Sequence, residues 1–165
     1  MLAECAVAEP MRVVCIGDSL TSCGGSGGRF TDHLAAWLPE IDVINKGVAG
    51  DTLGGGRARF EKDVLTLHPD VVIIGLGAND FWQAKQPLEQ LAADLEYMVS
   101  AARKAEAQVL LASCFGDVEQ GDPSPEFIKD RCSHYARGIA RFERALAAQY
   151  ECFYVPNMQA DIKPV

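Results

Sequence analysis

Short apolar segments alternate with amphipathic stretches along the chain. Five of these segments have the length of strands and are nearly continuous in apolar residues, as strands buried on both faces are. They cover residues 11–16, 41–44, 71–76, 109–112 and 152–155. The pattern predicts five strands, each followed by a turn and, in most cases, an amphipathic stretch.

Between the strands, apolar residues recur every three or four positions, which is the period of a helix with one buried face. This spacing predicts four helices: residues 30–38, residues 57–67, a helix that begins at Pro87 and passes residue 98, and one from an N-cap at Ser124 to residue 146.

Alternating strands and helices are typical of an α/β domain, in which a parallel five-stranded sheet has helices on both faces. We expect one such domain over residues 11–165, preceded by an extension over residues 1–10. In these folds ligands bind at the carboxyl ends of the strands. The candidate site is therefore expected at that edge of the sheet.

The charge argues against two classes of partner. The 165-residue chain carries 15 Lys and Arg against 23 Asp and Glu, a net charge of −8. An acidic chain without a basic stripe is a poor candidate for binding nucleic acid or an anionic membrane. The tight basic cluster of Arg57, Arg59 and Lys62 is interpreted as a solvated helix face.

The sequence also bears on location and on metals. No stretch approaches the roughly 20 apolar residues of a membrane span, and residues 1–10 lack the features of a signal peptide. A cytoplasmic location is therefore predicted, with the six cysteines as reduced thiols. No two cysteines have the spacing of a zinc site, so no metal is expected.

Polar, glycine-bearing turns follow the first three predicted strands. They read Gly-Asp-Ser-Leu at 17–20, Gly-Val-Ala-Gly-Asp-Thr at 47–52 and Gly-Leu-Gly-Ala-Asn-Asp at 75–80. Because the carboxyl ends of parallel strands meet at one edge of a sheet, we expect the three turns to converge. Asp18 and Asp80 are expected to hold their turns through hydrogen bonds to the backbone rather than to react.

These three turns, in this order, resemble those of the SGNH (GDSL) hydrolases, a family of esterases and acylhydrolases, and the resemblance covers roughly residues 11–155. It implies a flavodoxin-like, three-layer α/β/α fold. It also implies that Ser19 is the nucleophile and that the backbone N–H groups of Ser19 and Gly50 and the side-chain amide of Asn79 form the oxyanion hole. No metal or organic cofactor is implied.

The family's last block, an Asp-x-x-His that supplies and orients the base, has no counterpart here. Pro164 stands three residues after Asp161, and the three histidines, His33, His68 and His134, match no family position. Either the chain stops short of that block and of the family's final helix, or the protein is a divergent member; the first is favoured. Weak hydrolysis is expected, as is apolar surface near the first strand that favours a homodimer.

The predicted function is hydrolysis of a small acyl ester through Ser19, with a carbohydrate O-acetyl ester favoured over a lysophospholipid or a thioester. The alternative is a catalytically inert domain that binds a small anion or a glycan. A nucleotide binder is less favoured because no phosphate-loop signature is present.

Several loops are interpreted as surroundings of this site. Residues 24–28 and 54–56 are predicted to be pliant, and residues 116–122 form an acidic loop that either lines the cleft or is a solvated connection. Phe81 and Trp82 follow the third turn, where they line a pocket or pack on the core.

Overall fold

Five parallel strands form the centre of the structure, a computed structural model that describes residues 9–24, 27–83, 85–114 and 131–156. Their order across the sheet is β2-β1-β3-β4-β5, the flavodoxin-like order. The predicted fold class and all five predicted strands are confirmed. The strands are β1 (Met11–Gly17), β2 (Ile41–Gly47), β3 (Val71–Gly75), β4 (Gln108–Ala112) and β5 (Phe153–Val155).

Helices connect these strands in the described part of the chain. Two of them, the short α1 and α4, were not predicted from the sequence. The helices are α1 (Ser19–Ser22), α2 (Phe30–Trp37), α3 (Leu53–Asp63), α4 (Ala78–Gln83), α5 (Leu88–Lys104) and α6 (Arg131–Gln149), and a 3₁₀ turn over Leu65–Leu67 follows α3.

Two helix starts differ from the prediction. Helix α3 begins four residues early because Thr52 caps it, its hydroxyl accepting a hydrogen bond from the Gly55 N–H at 3.1 Å. The glycines at 54–56 therefore form the first turn of a helix rather than a pliant loop. Pro87 is the N-cap of α5 and not its first residue. The predicted N-cap at Ser124 and the acidic loop at 116–122 lie outside the described residues.

The sheet is covered on both faces, as the three-layer prediction requires. Helices α3, α5 and α6 pack on one face, against a core to which the sheet contributes Val14, Ile16, Val72, Ile74, Val109 and Leu111. The other face carries Cys15 and, in register beside it, Asn45. The Asn45 side chain donates to the Thr31 hydroxyl at 2.8 Å, and this bond ties α2 to that face. Helix α2 thus belongs to the third layer.

The structure fits the expected apolar surface near the first strand only in part. Val13 and Cys15, which point to the α2 face, are 5% and 0% exposed. Met11 at the start of β1 is 53% exposed, and Trp37 and Leu38 at the end of α2 are exposed as well. Phe153 and Val155 of the edge strand β5 are also exposed. Homodimer formation stays a prediction.

Gly47 lets helix α1 lie against the end of β2. A Cβ added at Gly47 would stand 2.4 Å from the backbone nitrogen of Ser22, which belongs to a helix and cannot move away cheaply. We expect Gly47→Ala to lower the free energy of unfolding by about 1–3 kcal/mol, as measured by urea denaturation. Gly27→Ala is the control, because a Cβ there meets nothing within 4 Å. Equal stability of the two variants would contradict this assignment.

Candidate active site

The first turn places Ser19 at the end of β1. Asp18 is the N-cap of α1, and its Oδ1 accepts a hydrogen bond from the Leu20 N–H at 2.8 Å. Ser19 is therefore the first residue of a short helix and is half-buried, while Asp18 beneath it is fully buried. The carboxylate of Asp18 thus holds the turn that presents the serine, as predicted.

The second turn places Gly50 beside the first. The Asp51 N–H donates to the Val48 carbonyl at 3.1 Å, which closes a β-turn whose third residue, Gly50, has a φ of +81°. A positive φ at that position is what a type II turn requires, and glycine adopts it without strain. The Val48 N–H in turn donates to the Gly17 carbonyl at 2.9 Å, and this bond joins the second turn to the end of β1.

The third turn brings Asn79 into contact with both of the others. Its amide nitrogen donates to the Asp51 carbonyl at 2.8 Å and to Oδ2 of Asp18 at 3.3 Å. The next residue, Asp80, accepts from the Leu53 N–H at 2.9 Å, and this bond ties the third turn to the start of α3. The three turns therefore converge, and the expectation that Asp80 holds its turn through the backbone is confirmed.

The available hydrogen-bond donors differ among the three candidate residues. Within the described chain, the backbone N–H groups of Ser19 and Gly50 donate to no other residue, whereas both amide hydrogens of Asn79 have acceptors nearby. An anionic oxygen beside these turns could be met by the two unengaged N–H groups. The arrangement can therefore stabilise a negative charge next to a serine hydroxyl.

Burial controls the ionisation of the groups behind these turns. It raises the pKa of Asp18 above its usual range, against the lowering effect of the Leu20 N–H, and the nearby Asp51 adds to the rise. Burial raises the pKa of Asp80 in the same way. Cys114 follows β4, and burial raises its pKa to about 12, so it stays a thiol. Together with the buried Cys15, also free, it fits the prediction of reduced core thiols.

No described histidine side chain contacts Ser19. His33 is exposed, and its Nε2 contacts the carbonyl of Gly27, in the glycine-rich segment before α2. His68 ends the 3₁₀ turn before β3, at the amino edge of the sheet, where it is also exposed. The side chain of His134 lies outside the described part of the structure. A base for Ser19 is therefore not identified among the described side chains.

The structure corrects the interpretation of Arg59 as part of a solvated face. Its side chain is only 17% exposed, and it donates to the Asp51 carboxylate, to the Gly17 carbonyl and to the Lys46 carbonyl. Arg59 thus fastens the ends of β1 and β2 to the second turn. Asp51 lies eight residues before Arg59, beyond the three- or four-residue spacing at which helical side chains meet, so no local signal marks this contact.

Glu143 on α6 is the second residue that sequence reasoning missed. It is 4% exposed, and its Oε2 has no hydrogen-bond partner among the described residues. Burial raises its pKa to about 8, although a hydrogen bond with Ser113 opposes the rise. Its position four residues after Ile139, within the apolar stripe of α6, was the available signal.

The residues next to the third turn divide between core and surface. Phe81 is 2% exposed and belongs to the core, while Trp82 is 62% exposed at the same edge of the sheet as the three turns. The two rings pack edge to face, with their centroids 4.9 Å apart. Phe81 therefore packs on the core, which is one of the two roles expected from the sequence, whereas Trp82 is exposed to solvent.

Comparison with known proteins gives a consistent result. The chain matches the model of the GDSL-like lipase/acylhydrolase family over residues 15–161. It is 32% identical over 162 residues to esterase TesA of Pseudomonas aeruginosa, covering 94% of this chain and 74% of TesA. It is 37% identical over 89 residues to an acetylxylan esterase of Geobacillus stearothermophilus, covering 44% of this chain and only 41% of that protein.

Solved structures show the same fold. The crystal structure of TesA superposes with a TM-score of 0.75 at 28% identity, covering 94% of this chain and 83% of that one. A catalytic mutant of Axe2, an acetylxylan esterase from Geobacillus stearothermophilus, gives a TM-score of 0.73 at 25% identity, with 90% and 77% covered. The chain therefore belongs to the GDSL-like lipase/acylhydrolase family, and the resemblance drawn from the three turns is confirmed.

Location and metal binding stay predictions. None of the helices in the described ranges is long and apolar enough to span a membrane. One relative, YqeF of Bacillus subtilis, is an uncharacterised lipoprotein, 28% identical over 122 residues that cover 65% of this chain and 49% of that protein. In the described part of the chain, no group of three or more His, Cys, Asp or Glu side chains is placed to hold a metal ion.

We expect Arg59→Met to loosen the site and the fold together. The change leaves the carboxylate of Asp51, whose side chain is 11% exposed, without its arginine, so the free energy of unfolding should fall by about 2–4 kcal/mol. Urea denaturation measures the loss. Lys62→Met, on the exposed side of the same helix, should stay within about 0.5 kcal/mol of the parent chain. An equally small loss of stability in Arg59→Met would contradict the role of Arg59 in holding the second turn to the ends of β1 and β2.

We expect Glu143→Gln to stabilise the protein increasingly as pH rises. The folded chain keeps the Glu143 proton up to about pH 8, whereas the unfolded chain loses it near the ordinary value of 4.5. Since the folded state binds the extra proton between these values, the stability of the parent chain falls as pH rises through that window. Glutamine does not titrate and should escape this loss.

Urea denaturation near the two ends of this window, at about pH 4 and about pH 8, measures the effect. The difference in stability between Glu143→Gln and the parent should be larger at the higher pH. Glu61→Gln, at an exposed position of α3, is the control and should show no such growth. A Glu143→Gln difference that is independent of pH would contradict the buried, protonated state.

Proposed function

We propose that the protein is a serine ester hydrolase that acts through Ser19. The observation that carries the proposal is the convergence of Ser19 with two backbone N–H groups that have no partner among the described residues, its own and that of Gly50. Family membership supports it, because the relatives reported above include esterases. The roles assigned to individual residues are part of the proposal.

In the proposed reaction, the Oγ of Ser19 attacks the carbonyl carbon of the ester, and the hydroxyl proton passes to a base. The carbonyl oxygen becomes an anion that the N–H groups of Ser19 and Gly50 stabilise. The alcohol then leaves with a proton, and water hydrolyses the acyl-serine to release the acid and restore Ser19. No metal or organic cofactor takes part in this scheme.

Asn79 is the third proposed donor, and it must release an existing partner to act. Its bond to the Asp51 carbonyl is 2.8 Å long, while the one to Asp18 is 3.3 Å and correspondingly weak. The hydrogen that faces Asp18 is therefore the one that can turn to the oxyanion. Each donor of this kind typically contributes about 10²–10³ in rate.

The proposed substrate is an ester of a small acyl group, with a carbohydrate O-acetyl ester favoured. The acetylxylan esterases among the relatives support this choice. The match to the first of these covers only 41% of its length. Acetylated xylan is therefore not assigned to this chain as its substrate. We further expect that the partner is a small-molecule ester, that the protein does not bind nucleic acid and that it is located in the cytoplasm.

A second candidate function is a binding domain that keeps the oxyanion pocket without turnover. The observation that favours it is that the His33 ring contacts the Gly27 carbonyl and that His68 lies at the amino edge of the sheet, so neither is paired with Ser19. Axe2, by contrast, has a catalytic mutant in which a histidine is replaced by alanine. A triad without its base retains only the catalysis that comes from the oxyanion hole and from binding.

We expect a fluorophosphonate probe to label Ser19 slowly and imidazole to speed the reaction. Because none of the described side chains is placed as a base for the serine, an external imidazole that accepts its proton should raise the labelling rate by about tenfold or more. Mass spectrometry of the labelled peptide, with and without imidazole, measures the rate. The Ser19→Ala chain is the control and should take up no label in either condition.

The outcome separates the two candidate functions. Labelling at Ser19 that Asn79→Ala reduces supports the hydrolase with its oxyanion hole. The absence of label at Ser19 in both conditions, from a chain that remains folded by circular dichroism, would reject the hydrolase and leave the binding domain. Fast labelling without imidazole would show that a base is supplied from elsewhere in the chain.

A further inference from the structure

Strand β2 forms one edge of the sheet, and in the described part of the chain no strand lies on its outer side. Its seven residues pair with β1 in unbroken register, without a bulge or a proline, and each keeps some exposure, whereas most of β1 is buried. Edge strands that avoid pairing are usually short, bulged, interrupted by proline or guarded by charge. Strand β5 at the other edge has only three residues. Of the two edges, β2 is therefore the one suited to a further strand, unless its charges prevent it.

The open hydrogen-bonding groups of β2 are those of Val43 and Asn45. The Val48 N–H donates to the Gly17 carbonyl of β1 at 2.9 Å, as in the ladder between the two strands. Along a strand, the backbone groups of successive residues point to opposite sides. The groups of residues 42, 44 and 46 therefore face β1, and those of Val43 and Asn45 face away from the sheet.

The two ends of β2 are closed by its own chain. The outward N–H of Ile41 donates to the Leu38 carbonyl at 3.1 Å, and that of Gly47 donates to Oδ1 of Asn45 at 2.9 Å. The residues on either side of Ile44 are thus the positions at which a partner strand finds open donors. This pattern is symmetric about Ile44.

The charges of β2 are symmetric about the same residue. Asp42 stands two residues before Ile44, and Lys46 stands two residues after it. In an antiparallel pair of two copies with a two-fold axis at Ile44, Asp42 of each copy lies directly opposite Lys46 of the other. Opposed residues of such a pair share a face, and opposite charges there stabilise the pairing. The charges of this edge therefore favour a second copy as the partner.

Both charged side chains are available for these contacts. Asp42 accepts a hydrogen bond from Arg12 at Oδ2, at 3.0 Å, and its side chain is still 40% exposed. Lys46 forms no ion pair with any of the described residues, and Arg59 contacts its carbonyl rather than its ammonium group. Each of the two can therefore meet the other across the axis without giving up a contact within its own chain.

Exposed apolar side chains flank β2 at both ends. Trp37 and Leu38 precede the strand, and Val48 follows it. Antiparallel pairing brings the end of each strand beside the start of the other. Val48 of one copy would then lie at the same end of the strand pair as Trp37 and Leu38 of the other, and the contact would cover part of this apolar surface.

We propose that β2 pairs antiparallel with β2 of a second copy of this chain, with the two-fold axis at Ile44. The two five-stranded sheets then join into one continuous sheet. Val43 and Asn45 of each copy exchange backbone hydrogen bonds with the other copy, and Asp42 and Lys46 form an ion pair on each side of the axis. The pairing does not depend on ester hydrolysis, so it stands or falls separately from the proposed function.

Sedimentation equilibrium of the full chain and its charge variants tests the proposal. The parent chain should form a dimer, and Lys46→Glu, which sets like charges opposite each other on both sides of the axis, should weaken it by about tenfold or more. Lys104→Glu makes the same charge change at an exposed position of α5, which packs beside β4, and should leave the dimer unchanged. The absence of a parent dimer at about 1 mM, where even weak association is detected, or an equal effect of the two variants would overturn the proposal.

A charge exchange separates pairing through β2 from pairing through another surface. Asp42→Lys sets two lysines opposite each other on both sides of the axis and should weaken the dimer as well. In a mixture of Asp42→Lys with Lys46→Glu, every opposed pair again has opposite charges, so the dimer should return as a heterodimer. A mixture that stays monomeric, with both variants folded by circular dichroism, would contradict the antiparallel register.

Amide hydrogen exchange gives a reading that needs no Asp42 variant. At a concentration where the parent chain is dimeric, the Val43 and Asn45 amides should exchange at least about tenfold faster in Lys46→Glu than in the parent. The Ile44 amide, which faces β1 in either state, is the internal control and should exchange at the same rate in both chains. Equal rates at Val43 and Asn45 would show that the copies meet elsewhere and would reject the proposal.

Discussion

The structure depends on a row of three glycines across the centre of the sheet. Gly17 at the end of β1 is in register with Gly47 of β2 and with Gly75 of β3. A Cβ at Gly17 would stand 2.8 Å from the Gly75 carbonyl, and one at Gly47 would meet the backbone of α1 at 2.4 Å. Because these three adjacent strands have no side chain where they end, each strand can be followed by a sharp turn without a steric clash. The three turns can therefore lie close together.

Charged and amide side chains then hold the turns in one arrangement. Asn79 bridges the other two turns, and Arg59 joins Asp51 to the ends of β1 and β2. These bonds lie at the half-buried edge of the sheet, where water competes less for the partners and each bond is worth more than on an open surface. The site is thus preorganised by the same contacts that stabilise the fold.

The proposed oxyanion hole draws on two turns of this edge. The first turn provides the Ser19 hydroxyl and its backbone N–H group, and the second provides the N–H group of Gly50; neither N–H has a partner among the described residues. A pocket of this kind can hold a small anion with or without a base for the serine. The hydrolase and the binding domain therefore share one scaffold, and they differ in the group that accepts the Ser19 proton.

Much of this could be read from residue order alone. The apolar segments and their spacing determined a parallel α/β sheet, because strands buried on both faces have few polar residues. The three turns at 17–20, 47–52 and 75–80 identified the family, and their place after successive strands located the site at the carboxyl edge. Local chemistry was sufficient for these features since each depends on neighbours in the chain.

Only the tertiary structure decided which polar side chains are buried and what they contact. Arg59 looks like a surface arginine until the ends of β1 and β2 lie beside it. The place of Glu143 in the apolar stripe of α6 hints at burial, but only the packed structure shows that its Oε2 lacks a partner among the described residues. The start of α3 depends on a distant partner too, because the Leu53 N–H donates to Asp80 of the third turn, 27 residues further along the chain. These features arise from contacts between residues far apart in sequence, whose energies a local pattern does not contain.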